Sequence, residues 1–259
     1  MSNRRPGTFF WYELMTTDVK GAIAFYGEVV GWKTQAWEGG DYTMWLSSQG
    51  PLGGVMTLQE QAKKMGAPPH WMVNVEVSDV DATVAKVKEL GGQVHVPPTA
   101  IPKIGRFSVI ADPQGATIAM IQPEGDGMPA RDTKKQGEFC WSELLTTDMP
   151  KAFDFYSAVF GWELIHDHDM GPEGKYRLYG KDGKDMGGMF TVPESMRKMP
   201  PAFMHYIQVD DLDAALERAK KQHAKVLNGP MEVPGGARIV QLMDPQGAAF
   251  ALHALPKKG

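Results

Sequence analysis

Residues 7–32, GTFFWYELMTTDVKGAIAFYGEVVGW, return at residues 137–162 as GEFCWSELLTTDMPKAFDFYSAVFGW, identical at 14 of 26 positions. Unrelated stretches of that length share about one or two residues, so the chain carries an internal duplication. The echo persists to the end of each copy, where Asp112-Pro113-Gln114-Gly115-Ala116 recurs as Asp244-Pro245-Gln246-Gly247-Ala248. Working outward gives a first unit over 7–122, a Gly/Pro/charge-rich linker over 123–137 and a second unit over 138–254. Each unit is long enough to bury a core of its own.

Within the first copy the apolar run Phe9–Leu14 predicts a strand. Thr17-Asp18 then opens a helix whose Val19, Ala22, Ile23, Tyr26, Val29 and Val30 keep a 3.6-residue rhythm, and Gly31 ends it. Strands are expected over 33–37, 42–47 and 54–58, with a connecting stretch over 59–70. The pattern then restarts with a strand over 71–77, a cap at Ser78-Asp79, a helix to Leu90 and three more strands to Ile121. The second copy repeats this, with helices over 149–160 and 212–222. The chain therefore reads as α+β, four βαβββ modules in two pairs.

Alternation assigns faces. Trp11, Glu13 and Met15 share one face of the first strand, as do Trp141, Glu143 and Leu145 in the second copy. Met72, Asn74 and Glu76 face the same concave side, and so do Met204, Tyr206 and Gln208, and His253 on the last strand. Glu13, Glu143 and His253 are the candidate acid–base groups. Glu76 reads more readily as a structural carboxylate. Trp11, Met72, Asn74, Glu76, Trp141, Met204 and Tyr206 are the candidate ligand-binding residues of two mostly apolar pockets. Arg106 and Arg238, each in the loop before a penultimate strand, could meet an anionic ligand. His205 is expected in the core, His166 and His168 in a solvated turn, and Cys140 inert against the helix layer.

With 27 basic and 31 acidic side chains the chain has net charge −4 and no run of like charge, which argues against nucleic acid as a partner. One cysteine excludes an internal disulfide framework and fits a reducing compartment. No apolar leader or membrane-length stretch is read, so a cytoplasmic protein, monomeric or homodimeric and without a membrane partner, is expected.

The strand–Thr-Asp–helix opening with Phe25-Tyr26…Gly31-Trp32 and Phe155-Tyr156…Gly161-Trp162, the mid-unit helix starts at Ser78-Asp79 and Asp210-Asp211, and the repeated Asp-Pro-Gln-Gly-Ala turn resemble the vicinal-oxygen-chelate superfamily. That superfamily includes glyoxalase I, the bleomycin-resistance proteins and the extradiol dioxygenases. The chain is most similar to a fused two-unit, glyoxalase-like branch with bacterial and mycobacterial members. The resemblance implies two tandem domains of this type and, in family enzymes, a divalent cation held by inward His and Glu side chains. Carried over, those positions fall on Trp11 and Trp141, Met72 and Met204, Ala119 and Ala251, and around Val55–Met56 and Met189–Phe190. None offers the donor such ions need, so no metal cofactor is expected. The expected function is binding of a small apolar or aromatic ligand. A glyoxalase-like lyase or isomerase acting on a thiol conjugate is the alternative, and a scaffold with vestigial pockets a third.

Overall fold

The computed structural model describes residues 3–40, 42–64, 66–196 and 199–256. The start of the leader reading, Met1-Ser2, and Met65 of the connecting stretch lie outside them. The first copy holds strands β1 (Phe9–Thr16), β2 (Lys33–Ala36), β3 (Thr43–Ser47), β4 (Gly50–Thr57), β5 (His70–Glu76), β6 (Gln93–Ile101), β7 (Gly105–Ala111) and β8 (Thr117–Pro123). Its helices are α1 (Val19–Val30), α2 (Glu60–Lys64) and α3 (Val80–Glu89). The second copy adds β9 (Phe139–Thr146), β10 (Glu163–Asp169), β11 (Lys175–Lys181) and β12 (Lys184–Thr191). It continues with β13 (Ala202–Gln208), β14 (Lys225–Glu232), β15 (Arg238–Met243) and β16 (Ala249–Ala254), and its helices are α4 (Met149–Phe160) and α5 (Leu212–Lys221).

The four module helices begin in the same way because the same residue caps them. Asp18, Asp79, Asp148 and Asp211 each accept a backbone N–H three residues on, at 3.0, 2.9, 3.1 and 3.0 Å. Gly31 and Gly161 then close α1 and α4 with φ of 83° and 69°, a left-handed geometry that glycine adopts without strain. In α1 the buried face is Ala22, Phe25, Tyr26, Val29 and Val30, the stripe read from the sequence.

The strands form two eight-stranded mixed sheets, ordered β2-β3-β4-β1-β5-β8-β7-β6 and β10-β11-β12-β9-β13-β16-β15-β14. Thus each sheet follows one copy of the repeat. Contact density groups the chain differently. One compact body comprises Met1–Phe10, Val73–Ala130 and Trp141–Phe203; the other comprises Trp11–Met72, Arg131–Cys140 and Met204–Gly259. Each body therefore combines one module from each copy.

The repeated motifs explain that exchange. In the first body the Trp162 indole donates to the Gly7 carbonyl at 2.8 Å, and the Tyr156 hydroxyl donates to Asp112 at 3.0 Å. In the second body Trp32 donates to the Gly137 carbonyl at 2.7 Å and Tyr26 to Asp244 at 3.0 Å. Asp112 and Asp244 also cap their own Asp-Pro-Gln-Gly-Ala turns through backbone N–H groups of Gln114 and Ala116, and of Gln246, Gly247 and Ala248. Burial raises both carboxyls above the usual range.

Two arginines lock the starts of the copies. Arg4 donates to the buried Glu76 at 2.6 Å and to the carbonyls of Val77 and Pro123. Arg131, in the stretch read as a linker, donates to both oxygens of the buried Glu138, to Ser47 Oγ and to the Pro51 carbonyl. The C-terminal part of that stretch is thus fastened to the second body.

Three local expectations change. Residues 59–70 contain the short helix α2. His166 and His168 belong to the sheet-edge strand β10, where Asp167 pairs in register with Arg177 and accepts both arms of its guanidinium at 2.7 and 2.8 Å. An edge strand needs few apolar residues, which is why the stretch read as a turn. Strand β5 is buried on both faces, from Trp71 through Glu76.

Candidate functional site

On β1, Tyr12, Leu14 and Thr16 are buried while Trp11, Glu13 and Met15 are only half-covered, so one face of the strand stays partly open. The parallel partner β4 sets Gly54 beside Glu13 and Met56 beside Met15. Gly54 leaves a notch: a Cβ there would collide with the hydroxyl of Tyr42, which fills the space. The Trp11 indole donates to that hydroxyl at 2.7 Å. The hydroxyl is in turn hydrogen-bonded to Glu13.

The second copy builds the same chain in the other body. Trp141 donates to the Tyr176 hydroxyl at 2.9 Å, and Tyr176 donates to Glu143 at 2.8 Å. Gly188, in register with Glu143, leaves the notch that holds the Tyr176 hydroxyl. Phe190 stacks on Tyr176 with ring centroids 6.0 Å apart.

The direction of both chains follows from their chemistry. Indole N–H only donates, a phenol donates once, and an ionised carboxylate only accepts, so the hydrogen bonds run from tryptophan to tyrosine to glutamate. In the first copy Glu13 Oε1 is inaccessible to water and has no hydrogen-bond partner among the described residues. Burial raises Glu13 to about 7, with the Tyr42 hydrogen bond pulling partly the other way. The Tyr42 phenol is also pushed up, first by burial and then by the Glu13 charge.

Tyr42, Tyr176, Gly54 and Gly188 were not among the sequence candidates. A signal existed: Tyr42, just before β3, and Tyr176, near the start of β11, recur at the same offset from Gly53-Gly54 and Gly187-Gly188 in the two copies.

The remaining candidates scatter. His253 Nδ1 lies 2.8 Å from Gln208 Oε1, and burial lowers its imidazole below the usual range. Glu143, the other acid–base candidate of the second copy, belongs to the other body and is engaged by Tyr176. Buried Tyr206 accepts from Gln241 at 2.8 Å, Met204 is half-buried, and Met72 and Asn74 are buried at 8 % exposure each. Glu76 is taken by Arg4 and the Arg5 backbone N–H. Arg106 forks onto Asp81 at 2.7 and 2.9 Å, and Arg238 onto Asp213 at 2.7 and 3.0 Å. Both arginines thus tie a strand start to a helix start, with their forks occupied. His205 is buried, edge-on to Tyr12 at 5.3 Å, and its burial lowers it to about 3. Burial raises Cys140 to about 12, which disfavours the reactive thiolate.

Two open clefts, of about 380 and 340 Å³, lie beside the C-terminal ends of α1 and α4, and neither touches the Trp–Tyr–Glu chains. The positions onto which the resemblance carries the family's cation ligands have indole, thioether and methyl groups, and both indole N–H groups are already donating to tyrosines. Among the described residues no three His, Cys, Asp or Glu side chains converge. This donor set does not fit a hard or borderline divalent ion. No helix among the described residues is long and apolar enough to cross a membrane.

The profile of the Glyoxalase/Bleomycin resistance protein/Dioxygenase superfamily matches residues 8–120 and again 140–252. "Putative glyoxylase CFP32" of Mycobacterium tuberculosis is 34% identical over 256 residues, covering 97% of this chain and 96% of that protein. "Anthracycline biosynthesis protein DnrV" of Streptomyces peucetius is 29% identical over 269 residues, covering 98% and 96%. Among solved structures, the Mn(II)-bound glyoxalase of Novosphingobium aromaticivorans superposes with TM-score 0.65 at 14% identity, covering 98% of this chain and 83% of that one. The 2,3-dioxygenase LapB of Pseudomonas sp. KL28 gives 0.65 at 12%, covering 98% and 93%. At such identities these two likenesses speak for the fold alone. Matched twice and over most of its length, the chain belongs to the Glyoxalase/Bleomycin resistance protein/Dioxygenase superfamily.

Proposed function

We propose that the chain binds a small, flat, largely apolar ligand on the half-open faces of its first strands, without a family-type metal centre. The observation that carries this reading is the Trp–Tyr–Glu chain built twice, with tryptophan at the position that supplies a metal ligand in family enzymes. Half-covered Trp11, Met15 and Met56 in one body, and Trp141, Leu145 and Phe190 in the other, offer the flat and adaptable surface an aromatic ring packs against. The name of the Streptomyces relative refers to anthracyclines, which are fused aromatic rings, and agrees with that shape. The test is titration of 2-methoxynaphthalene followed by tryptophan fluorescence. Saturable quenching is expected, with affinity falling about tenfold or more when Trp11 and Trp141 are both changed to Ala. Unchanged affinity in the double variant refutes the reading.

A glyoxalase-like lyase or isomerase is the second reading, favoured by one observation: a carboxyl titrating at about 7 is suited to proton abstraction. It requires Glu13→Gln to abolish turnover of a thiol-conjugate substrate while the fold remains intact.

A further inference from the structure

We infer that Glu13 Oε1 is the acceptor of a binding site for a neutral aromatic ligand bearing a hydroxyl donor, a phenol or enol. The inference rests on the proposed ligand-binding role of the first-strand face and names the ligand class for the first copy.

The argument starts from hydrogen-bond accounting. Trp11 has one N–H, spent on Tyr42, and the Tyr42 hydroxyl, although it acts on the Glu13 carboxyl, leaves Oε1 without a hydrogen bond, unlike Tyr176, which donates to Glu143 Oε1 at 2.8 Å. The chain therefore ends on a carboxylate oxygen that receives no hydrogen bond among the described residues, and that oxygen exposes less than 1 Å². A buried acceptor left unmade costs stability, and hydrogen bonds arranged head to tail polarise one another toward their acceptor end. One O–H from outside the chain completes the set.

The surroundings restrict what can bring that O–H. A carboxylate or phosphate ligand would set its own charge against Glu13, and the two candidate anion-binding arginines are held by Asp81 and Asp213. An ammonium would leave water for a face offering one acceptor among indole and thioether groups, too few to repay its hydration. A neutral ring with one hydroxyl meets both demands: its face packs on apolar side chains and its donor reaches Oε1. Met15 and Met56, in register on the same half-open face, are flexible enough to move aside for it.

The experiment compares 2-naphthol with 2-methoxynaphthalene, in which an O-methyl group replaces the donor hydrogen, by calorimetric titration of the full chain at pH 7.5. The expected result is binding of 2-naphthol tighter by roughly ten- to a hundredfold, the value of a hydrogen bond to a charged group. In Glu13→Met, which keeps the side-chain length and removes the acceptor, the ratio should fall to about one. If Glu13→Met does not fold, Glu13→Gln carries the test, and the ratio should drop at least about threefold because the acceptor is neutral. Equal affinities in the wild type overturn this inference and leave the apolar-binding reading standing. A preference that survives in the variant also overturns it. Failure of both compounds to bind removes the inference together with the reading beneath it.

Discussion

Replacing Glu13 by Gln should make the protein more stable at neutral pH and remove part of its pH dependence. Glu13 rises from 4.5 to about 7 because burial penalises its charged form. The folded state therefore carries no penalty from this group below pH 4.5. The penalty grows as the pH rises toward 7 and is constant above it, so the stability contributed by the neutral carboxyl is lost on the alkaline side. A rise of that size corresponds to at most about 3 kcal/mol, and solvent screening of a half-covered side chain brings the expectation to about 2 kcal/mol. Glutamine keeps an acceptor for Tyr42 and has no charge to desolvate. Urea unfolding of both proteins between pH 4.5 and 7.5 gives the difference directly. His70, His205 and His253, all lowered by burial, titrate in both proteins and cancel. The variant should gain about 2 kcal/mol on the wild type across that range. A difference that stays flat with pH would refute the assignment of a buried, unpaired carboxylate.

Other outcomes follow from the same contacts. Gly54→Ala forces the Tyr42 hydroxyl out of its notch and should cost about 1–3 kcal/mol, with an altered Trp11 emission as its signature; Gly188→Ala should do the same at Tyr176. Tyr26→Phe strands both the Trp71 indole and Asp244, which its hydroxyl joins at 2.9 and 3.0 Å, and should cost about 2–4 kcal/mol in urea unfolding. Tyr156→Phe should cost less, about 1–3 kcal/mol, because a Phe203 ring packs edge-on where Tyr26 meets an indole. Arg131→Ala leaves the buried Glu138 without its cation and should lower stability by about 3–5 kcal/mol, read from the urea midpoint.

The parts of the fold written in local chemistry were legible. Helix α4 has the predicted bounds because its Asp cap, its apolar stripe and its closing glycine all lie within fourteen residues, Asp148 to Gly161. The duplication located both sheets before any strand was placed. The exchange of modules between copies was not legible, because it depends on contacts such as Tyr26 with Asp244, 218 residues apart. Repetition marked those residues as fixed without saying what they touch. The site was half legible. Alternation put Trp11 beside Glu13 and Trp141 beside Glu143 on one face, and the matched positions in both copies singled them out. Tyr42 and Tyr176 escaped because they reach that face across another strand, over a glycine whose meaning depends on register. Arg106 and Arg238 read as ligand contacts because their partners Asp81 and Asp213, each 25 residues away, stand at helix starts that already looked complete. The short helix α2 escaped because five residues are too few to show a helical period.

The most direct test of the claim that a Trp–Tyr–Glu chain stands where family enzymes keep a cation is elemental analysis of the chain purified without chelators. The account predicts less than about 0.1 equivalent of any of Mg, Mn, Fe, Co, Ni, Cu or Zn per chain after dialysis. About one equivalent of a single metal, retained through dialysis and lost in Glu13→Gln or Glu143→Gln, would contradict it, because those carboxylates would then be ligands of a metal centre.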